Sequence, residues 1–229
     1  MATHLITGAG SGIGAAVARR LLARGDDLLL LARDAGRAKE IAAGLPGAGT
    51  LVGDLANPDR LSWALSHQTL PDRLDSILHI AGIVDLGAIA DTTVKTWRAQ
   101  IDVNLLAPAE LTRLLLPQVR VAKGQVIFVN SGSGLNASPN WGAYAASKFG
   151  LKALADALRG EEKPHGVRVS TVYPGRTDSP MQEKIHQQEG KAYDGSRLID
   201  PESVATAILT VLDLPRDANI DDVTVRPGR

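Results

Sequence analysis

The first residues that could carry chemistry form a glycine-rich turn near the start of the chain. Residues 7–14 read Thr-Gly-Ala-Gly-Ser-Gly-Ile-Gly and separate a short apolar run from a stretch with apolar residues at helical spacing. Glycines at such a junction allow positive φ angles and let the backbone approach a pyrophosphate, which also binds the free N–H groups of a helix N-terminus. This placement predicts a dinucleotide site. No Gly-Lys-Ser/Thr follows, so the turn is not the phosphate loop of a nucleoside triphosphatase.

A charged pair follows the second apolar run, which ends at Ala32. Arg33 offers a positive charge and a planar fork of donors, which suit the 2′-phosphate of NADP. Asp34, about 20 residues after Gly14, could instead accept hydrogen bonds from the ribose 2′-hydroxyl of NAD. From these residues alone, both cofactors remain open.

A tyrosine, a lysine and a serine form the second candidate for chemistry. Tyr144 and Lys148 are four residues apart on a predicted helix, so they share one face. The ordinary tyrosine pKa of about 10 makes a poor acid or base near neutrality. A nearby ammonium is expected to lower that pKa by favouring the phenolate. Ser131 follows the strand with the most β-branched residues, at the sheet edge where ligands bind in α/β folds.

These residues need a scaffold in which short strands alternate with helices. The predicted strands are residues 3–7, 28–32, 50–53, 75–80, 125–130, 167–173 and 222–225. The predicted helices are residues 13–24, 37–43, 59–70, 93–121, 142–161 and 201–212, the fourth kinked or broken at Pro108 and Pro117. This alternation predicts an α/β, Rossmann-like doubly wound parallel sheet of about seven strands with helices on both faces. No linker or repeat divides residues 1–229, so we expect a single domain.

The composition limits the function classes. Lys+Arg and Asp+Glu number 25 each, so the surface lacks the positive excess that nucleic acid or an anionic membrane demands. The chain has no cysteine, which excludes disulfides and thiolate chemistry, and its five histidines show no metal-ligand spacing. The longest apolar run, residues 28–32, is far shorter than the roughly 18 residues of a membrane span. The N-terminus does not resemble a signal peptide, so a cytoplasmic location is expected.

Together these motifs resemble the short-chain dehydrogenase/reductase family in its single-domain form. Residues 7–14 are similar to its Thr-Gly-x-x-x-Gly-x-Gly cofactor turn, and residues 79–82 to its Asn-Asn-Ala-Gly strand end. The resemblance implies a catalytic tetrad of Asn104, Ser131, Tyr144 and Lys148. It also implies cofactor contacts from Gly8, Gly10, Ser11, Gly12, Ile13, Gly14, Arg33, Asp54, Leu55, Ala81, Gly82, Tyr144, Lys148, Pro174, Gly175 and Thr177.

The implied reaction moves a hydride between a nicotinamide and a carbonyl or alcohol substrate. Tyr144 would act as general acid and base, Lys148 would lower its pKa, and Ser131 would hold the carbonyl oxygen. NAD-type members carry Asp where this chain has Ala32, and Arg33 follows as in NADP-preferring members. The basic residue that many NADP members place in the glycine turn is Ser11 here. NADP(H) is therefore favoured over NAD(H), which stays an alternative.

Four further expectations concern the surroundings of the site. Residues 178–198 are expected to form a mobile substrate loop. Trp141 and Met181 could line the substrate pocket or pack elsewhere, whereas Trp63 and Trp97 are expected to be packing residues. A homodimer or homotetramer is expected, through helices around residues 104–116 and 144–158. A catalytically idle dinucleotide sensor is the alternative outside enzyme chemistry.

Overall fold

A seven-stranded parallel sheet forms the centre of the protein. The computed structural model describes residues 1–228. The strands are β1 (Thr3–Thr7), β2 (Asp27–Ala32), β3 (Gly49–Val52), β4 (Ser76–His79), β5 (Gln125–Val129), β6 (Arg168–Pro174) and β7 (Asp222–Val225). Their order across the sheet is β3-β2-β1-β4-β5-β6-β7, and every neighbouring pair is parallel. The chain moves outward from β1 and then returns to β4, which confirms the predicted doubly wound fold.

Helices cover both faces of the sheet. They are α1 (Gly12–Ala23), α2 (Ala35–Gly44), α3 (Leu61–Ser66), α4 (Val94–Ile101), α5 (Ala107–Ala122), α6 (Gly142–Glu162), α7 (Pro180–Gln188) and α8 (Pro201–Leu212). One core lies under α1, α2 and α8, and the other lies under α3, α5 and α6. Consecutive strand residues serve opposite cores: Leu5 faces the second and Ile6 the first, and both are fully buried. Strands buried on both faces explain the continuous apolar runs in the sequence.

The long predicted helix departs from α-helical geometry just before Pro108. Helix α4 ends at Ile101, and a single wide π-type turn over Asp102–Leu106 leads directly into α5. Because the chain is helical on both sides, the missing N–H of Pro108 leaves a carbonyl of the preceding turn without its helical partner, which agrees with the expected kink. Pro117 is accommodated inside α5 without a break. Such π-turns often occur at functional sites, and this one carries Asn104.

Two expectations differ from the structure. Residues 180–188 of the expected substrate loop form helix α7 rather than irregular chain, because Ser179 caps the helix by accepting a hydrogen bond from Gln182 N, and Pro180 occupies its first position. Trp63 does not pack in the core: it is 69% exposed on α3 and contacts the ring of His67. Within residues 1–228, no helix is both long and apolar enough to cross a membrane.

Candidate active site

A cavity of about 720 Å³ opens at the edge of the sheet where the strands end. Segments that follow β1, β4, β5 and β6 meet there because parallel strands end at one edge. The structure brings most of the predicted site residues to its wall: Gly8, Ser11, Gly12, Ile13, Gly14, Ala81, Gly82, Ser131, Tyr144, Lys148, Pro174, Gly175 and Thr177. Asn104 lies directly behind Gly82. Gly10, Arg33, Asp54 and Leu55 do not line this cavity.

The glycine turn has the shape of a phosphate cradle. Gly8 has a φ of 77°, and a β-carbon there would lie 2.8 Å from the backbone nitrogen of Ala81. A β-carbon on Gly14 would lie 2.1 Å from the carbonyl oxygen of Gly8, so no larger residue fits at either position. Ser11 caps α1 without a side-chain hydrogen bond, so the first N–H groups of α1 remain open toward the cavity. These features fit the pyrophosphate of a dinucleotide.

Tyr144 lines the same cavity and lies beside Ser131. Its ring packs edge-on against Trp141, with 5.8 Å between centroids. Burial raises the pKa of Tyr144 to about 12, and hydrogen bonding with the Ser131 hydroxyl acts in the opposite direction. The pKa is therefore raised, not lowered as expected, because desolvation of the phenolate dominates, and the hydroxyl is neutral near pH 7.

Lys148 is buried on the same face of α6. Its Nζ lies 5.8 Å from the centroid of the Tyr144 ring and donates a 3.1 Å hydrogen bond to the carbonyl oxygen of Val129. Burial lowers the pKa of Lys148 to about 8. Gly82 lies beside both groups: a β-carbon there would make an ordinary 3.7 Å contact with Nζ and a tight 3.2 Å contact with Oδ1 of Asn104.

Asn104 holds the segment that follows β4. Its Nδ2 donates to the carbonyl oxygen of Ile83 at 2.9 Å, and its Oδ1 accepts from the Ile83 N–H at 2.8 Å. Nδ2 also donates to Oγ of Ser147, on the helix that carries Tyr144 and Lys148. Through its one side-chain amide, Asn104 therefore connects the π-turn, the segment after β4 and helix α6.

Gln100 repeats this pattern one turn earlier, and the sequence reasoning missed it. Its Oε1 accepts from the Asp85 N–H at 3.1 Å, and its Nε2 donates to the Asp85 carbonyl oxygen at 3.0 Å. Gln100 is fully buried. The spacing of four residues from Asn104 was available in the sequence, but the backbone that both amides bind has no sequence signature.

Two arginines follow β2, one directly after the strand and one in the first turn of α2. Arg33 is exposed and pairs with Asp34 at 3.0 Å. Asp34 caps α2, because its Oδ1 accepts from the backbone nitrogen of Arg37 at 2.7 Å, and these hydrogen bonds lower its pKa. The carboxylate is thus already engaged. Nη2 of Arg37, which sequence reasoning also missed, lies 3.4 Å from the carbonyl oxygen of Gly10.

Asp54 follows β3 at the same edge of the sheet. Its two carboxylate oxygens accept hydrogen bonds from Ala56 N at 3.0 Å and Asn57 Nδ2 at 2.6 Å. Asp54 and Leu55 are both partly buried. The adenine contact expected of them stays a prediction.

The substrate side of the cavity combines apolar and charged walls. Trp141 and Met181 both line it, together with Ile185 of α7. Arg176 lies 5.8 Å from the Trp141 ring centroid and forms a two-pronged ion pair with Glu189, at 3.0 and 2.5 Å.

His79 replaces an asparagine of the expected motif and lies in the core. Its Nε2 shares a 2.8 Å hydrogen bond with Oγ1 of Thr112, and its ring stacks on Phe128. Burial lowers its pKa to about 3, so the ring is neutral and joins β4 to α5.

Comparison with known proteins agrees with this geometry. A family model described as short chain dehydrogenase matches residues 2–190. The human protein named dehydrogenase/reductase SDR family member 11 is 31% identical, over 97% of this chain and 93% of its own. A crystal structure of an oxidoreductase from Burkholderia thailandensis is 32% identical, with a TM-score of 0.85 over 99% of this chain and 92% of its own. A short-chain dehydrogenase from Sphingobium yanoikuyae in complex with NADPH is 26% identical, with a TM-score of 0.80 over 97% and 87%.

Proposed function

The chain belongs to the short-chain dehydrogenase/reductase family, and we propose that it is an NADP(H)-dependent oxidoreductase that interconverts a carbonyl compound and its alcohol. The observation that carries this proposal is a single cavity lined both by the phosphate cradle and by Ser131, Tyr144 and Lys148. When bound, the nicotinamide supplies the hydride: carbonyl compound, NADPH and one proton give alcohol and NADP⁺.

The protein's own groups handle the substrate oxygen and the proton. The neutral hydroxyl of Tyr144 donates its proton to the carbonyl oxygen during reduction and takes it back during oxidation. The Ser131 hydroxyl donates a hydrogen bond to the same oxygen, where negative charge develops. Lys148, whose pKa burial lowers to about 8, is a weak acid near neutral pH, and its Nζ lies 5.8 Å from the centroid of the Tyr144 ring. It would return a proton to Tyr144 and regain its own from bulk water. Asn104 positions the segment beside Gly82 on which this arrangement depends.

Replacing Tyr144 by Phe tests this proposal. Tyr144→Phe removes the proton donor and leaves the ring, so we expect turnover to fall at least about a hundredfold. NADPH binding should change little, because the cradle is untouched. NADPH consumption with a panel of aldehydes and ketones, together with NADPH fluorescence titration, measures both effects.

Tyr173→Phe is the matched control, because Tyr173 is a buried tyrosine of β6 that does not line the cavity. Near-normal turnover in Tyr144→Phe would refute the assignment. A wild-type protein that binds NADPH and reduces none of these compounds would instead favour the idle sensor.

The preference for NADP(H) is proposed from Arg33 and Arg37. Arg33 directly follows β2, and the guanidinium of Arg37, in the first turn of α2, contacts Gly10 of the glycine turn. The Asp34 carboxylate between them is engaged as a helix cap. The bound NADPH of the Sphingobium structure supports a phosphorylated dinucleotide. We expect Arg33→Ala and Arg37→Ala each to weaken NADPH binding about tenfold, as loss of a charge-assisted hydrogen bond does, and to leave NADH binding nearly unchanged.

Titration of both cofactors against each variant measures this preference, with Arg19→Ala as the control. Arg19 is exposed on α1 and pairs with Glu202, away from the cavity. Equal binding of NADH and NADPH by the wild type would overturn the preference and leave the NAD(H) alternative.

A further inference from the structure

The charged side chains that line the cavity are all positive. Four cationic side chains line it, namely Lys148, Arg176, Arg197 and Arg226, whereas no Asp or Glu within residues 1–228 lines it. The chain as a whole is neutral. The positive charge is therefore a property of this cavity rather than of the surface in general.

Two of these cations already have partners. Lys148 is the buried ammonium beside Tyr144 and donates to Val129. Arg176 is neutralised by its two-pronged ion pair with Glu189. Arg197 and Arg226, by contrast, are exposed and form no ion pair and no side-chain hydrogen bond with any residue in the described part of the chain, 1–228. Of these two, Arg226 is the one whose guanidinium lies beside Gly132.

The position of Arg226 follows from the register of the last two strands. Val225 pairs with Pro174, and the Gly175 N–H donates to the Val225 carbonyl oxygen at 2.7 Å. Arg226 is the next residue, just beyond the edge of the sheet. Its Nη1 lies 3.8 Å from the point where a β-carbon on Gly132 would be.

This places the guanidinium beside the residue that follows Ser131, the proposed donor to the carbonyl oxygen. The two cations proposed for the cofactor, Arg33 and Arg37, do not line this cavity, and the phosphate cradle offers a pyrophosphate the open N–H groups of α1. The charge of Arg226 is therefore available for a group on the substrate.

We propose that the substrate carries a carboxylate and that Arg226 binds it. This inference rests on the proposed function, because it takes Ser131 and Tyr144 to hold the carbonyl or hydroxyl of the same molecule. A guanidinium presents two parallel N–H donors that match the two oxygens of a carboxylate. Trp141 and Met181 supply an apolar wall for the carbon chain between the two groups. The substrate class is thus an oxo acid and its hydroxy acid.

Matched pairs of acids and esters test this inference. Pyruvate and levulinate, each beside its methyl ester, are offered with NADPH to the wild type, Arg226→Gln and Arg226→Lys. For the best acid, we expect kcat/KM to exceed that of its ester about tenfold or more in the wild type. In Arg226→Gln, kcat/KM should fall for the acid and stay unchanged for the ester, so that the ratio approaches one. Arg226→Lys should keep part of the preference for the acid.

Two binding measurements test the carboxylate site without depending on turnover, and therefore independently of the proposed function. Thermal shift with NADP⁺ present should show stabilisation by the acid, little by the ester, and loss of the difference in Arg226→Gln. NADPH fluorescence titration should give the same Kd for the wild type and Arg226→Gln. Arg19→Gln serves as the control arginine.

The outcomes distinguish failure of the carboxylate site from failure of the proposed oxidoreductase function. An acid-to-ester ratio near one in the wild type, in both turnover and thermal shift, would overturn the inference while reductase activity on either compound upheld the proposed function. Weakened NADPH binding in Arg226→Gln with an unchanged ratio would also overturn it, since Arg226 would then serve the cofactor. Acid-specific thermal stabilisation without turnover of any compound would support the anion site and count against the proposed function.

Discussion

At the scale of single residues, the site combines groups that are poorly solvated in the folded protein. Lys148 is the clearest case, because burial lowers its pKa from 10.5 to about 8 and its hydrogen-bond acceptor is an uncharged carbonyl. Keeping the ammonium charged near neutral pH therefore reduces the free energy of unfolding. Active sites often lower stability in this way to hold a reactive group in place.

Replacing this lysine should make the protein more stable. The depressed pKa corresponds to about 3 kcal/mol of desolvation, and loss of the bond to Val129 returns about 1 kcal/mol, so Lys148→Met should gain about 2 kcal/mol at pH 7. Between about pH 8 and 10.5 the unfolded chain binds more protons than the folded one, so the wild type gains stability there and the difference shrinks. Urea unfolding without cofactor at pH 7 and pH 10 measures it.

Lys152→Met, on the same helix and partly exposed, is the control and should show no such pH-dependent gain. A Lys148→Met variant less stable than the wild type at pH 7 would contradict the argument.

Residue types and spacing predicted the candidate tetrad because the family pattern is local. The pKa of Tyr144 could not be predicted, since it depends on burial by segments far away in the sequence. Arg37 was missed for a similar reason. Its contact with Gly10 joins residues 27 positions apart, and only the packing of α2 against the sheet brings them together.

At the scale of elements, two amides position the segment after β4. Gln100 and Asn104 each bind both backbone groups of one residue, Asp85 and Ile83, in the manner of a neighbouring strand. Helix α7 then docks on the same segment, where Lys184 donates to the Val84 carbonyl oxygen at 2.8 Å. The wall beside Tyr144 thus depends on a glutamine that does not line the cavity.

Gln100→Leu should separate this positioning role from cofactor binding. Two backbone groups of Asp85 lose their partners, so the free energy of unfolding should fall by about 2 kcal/mol. Because Val84 packs against Tyr144 and Ile185, KM should rise more than the NADPH Kd does. Urea unfolding, steady-state kinetics and NADPH titration report these three effects.

Lys95→Leu, on the exposed side of α4, is the matched control and should change none of these quantities. Unchanged stability and KM in Gln100→Leu would refute the positioning role.

Helices and strands with a strong periodic pattern of apolar residues were predicted correctly. Those whose limits depend on capping residues at their ends were missed. The strands and α8 follow from apolar runs and caps. The kink expected from Pro108 is present, but its form, a π-turn over Asp102–Leu106, has no sequence signature of its own. Helix α7 was mistaken for a loop because its residues are mostly polar, although Ser179 and Pro180 form a recognisable start.

At the scale of the whole molecule, one helical face carries exposed apolar side chains that no other part of residues 1–228 covers. Leu105 contacts Gly150, where a β-carbon would lie 2.6 Å from Cδ2 of Leu105, so the π-turn and α6 approach closely. The next residues outward, Leu106 and Phe149, are 45% and 44% exposed. Apolar side chains left exposed beside a tight helix contact favour association with a second copy.

We therefore expect a homodimer or homotetramer in solution that uses this face. The double variant Leu106→Asp with Phe149→Asp would place charges in the contact and should give a smaller species by light scattering coupled to size exclusion, because unpaired buried charge is costly. Val121→Asp is the control, since Val121 is 70% exposed at the far end of α5. A monomeric wild type, or a double variant that keeps the wild-type mass, would contradict this. Because Asn104 and Lys148 lie on the segments that carry this face, loss of assembly with a matching fall in kcat would further indicate that association steadies the site.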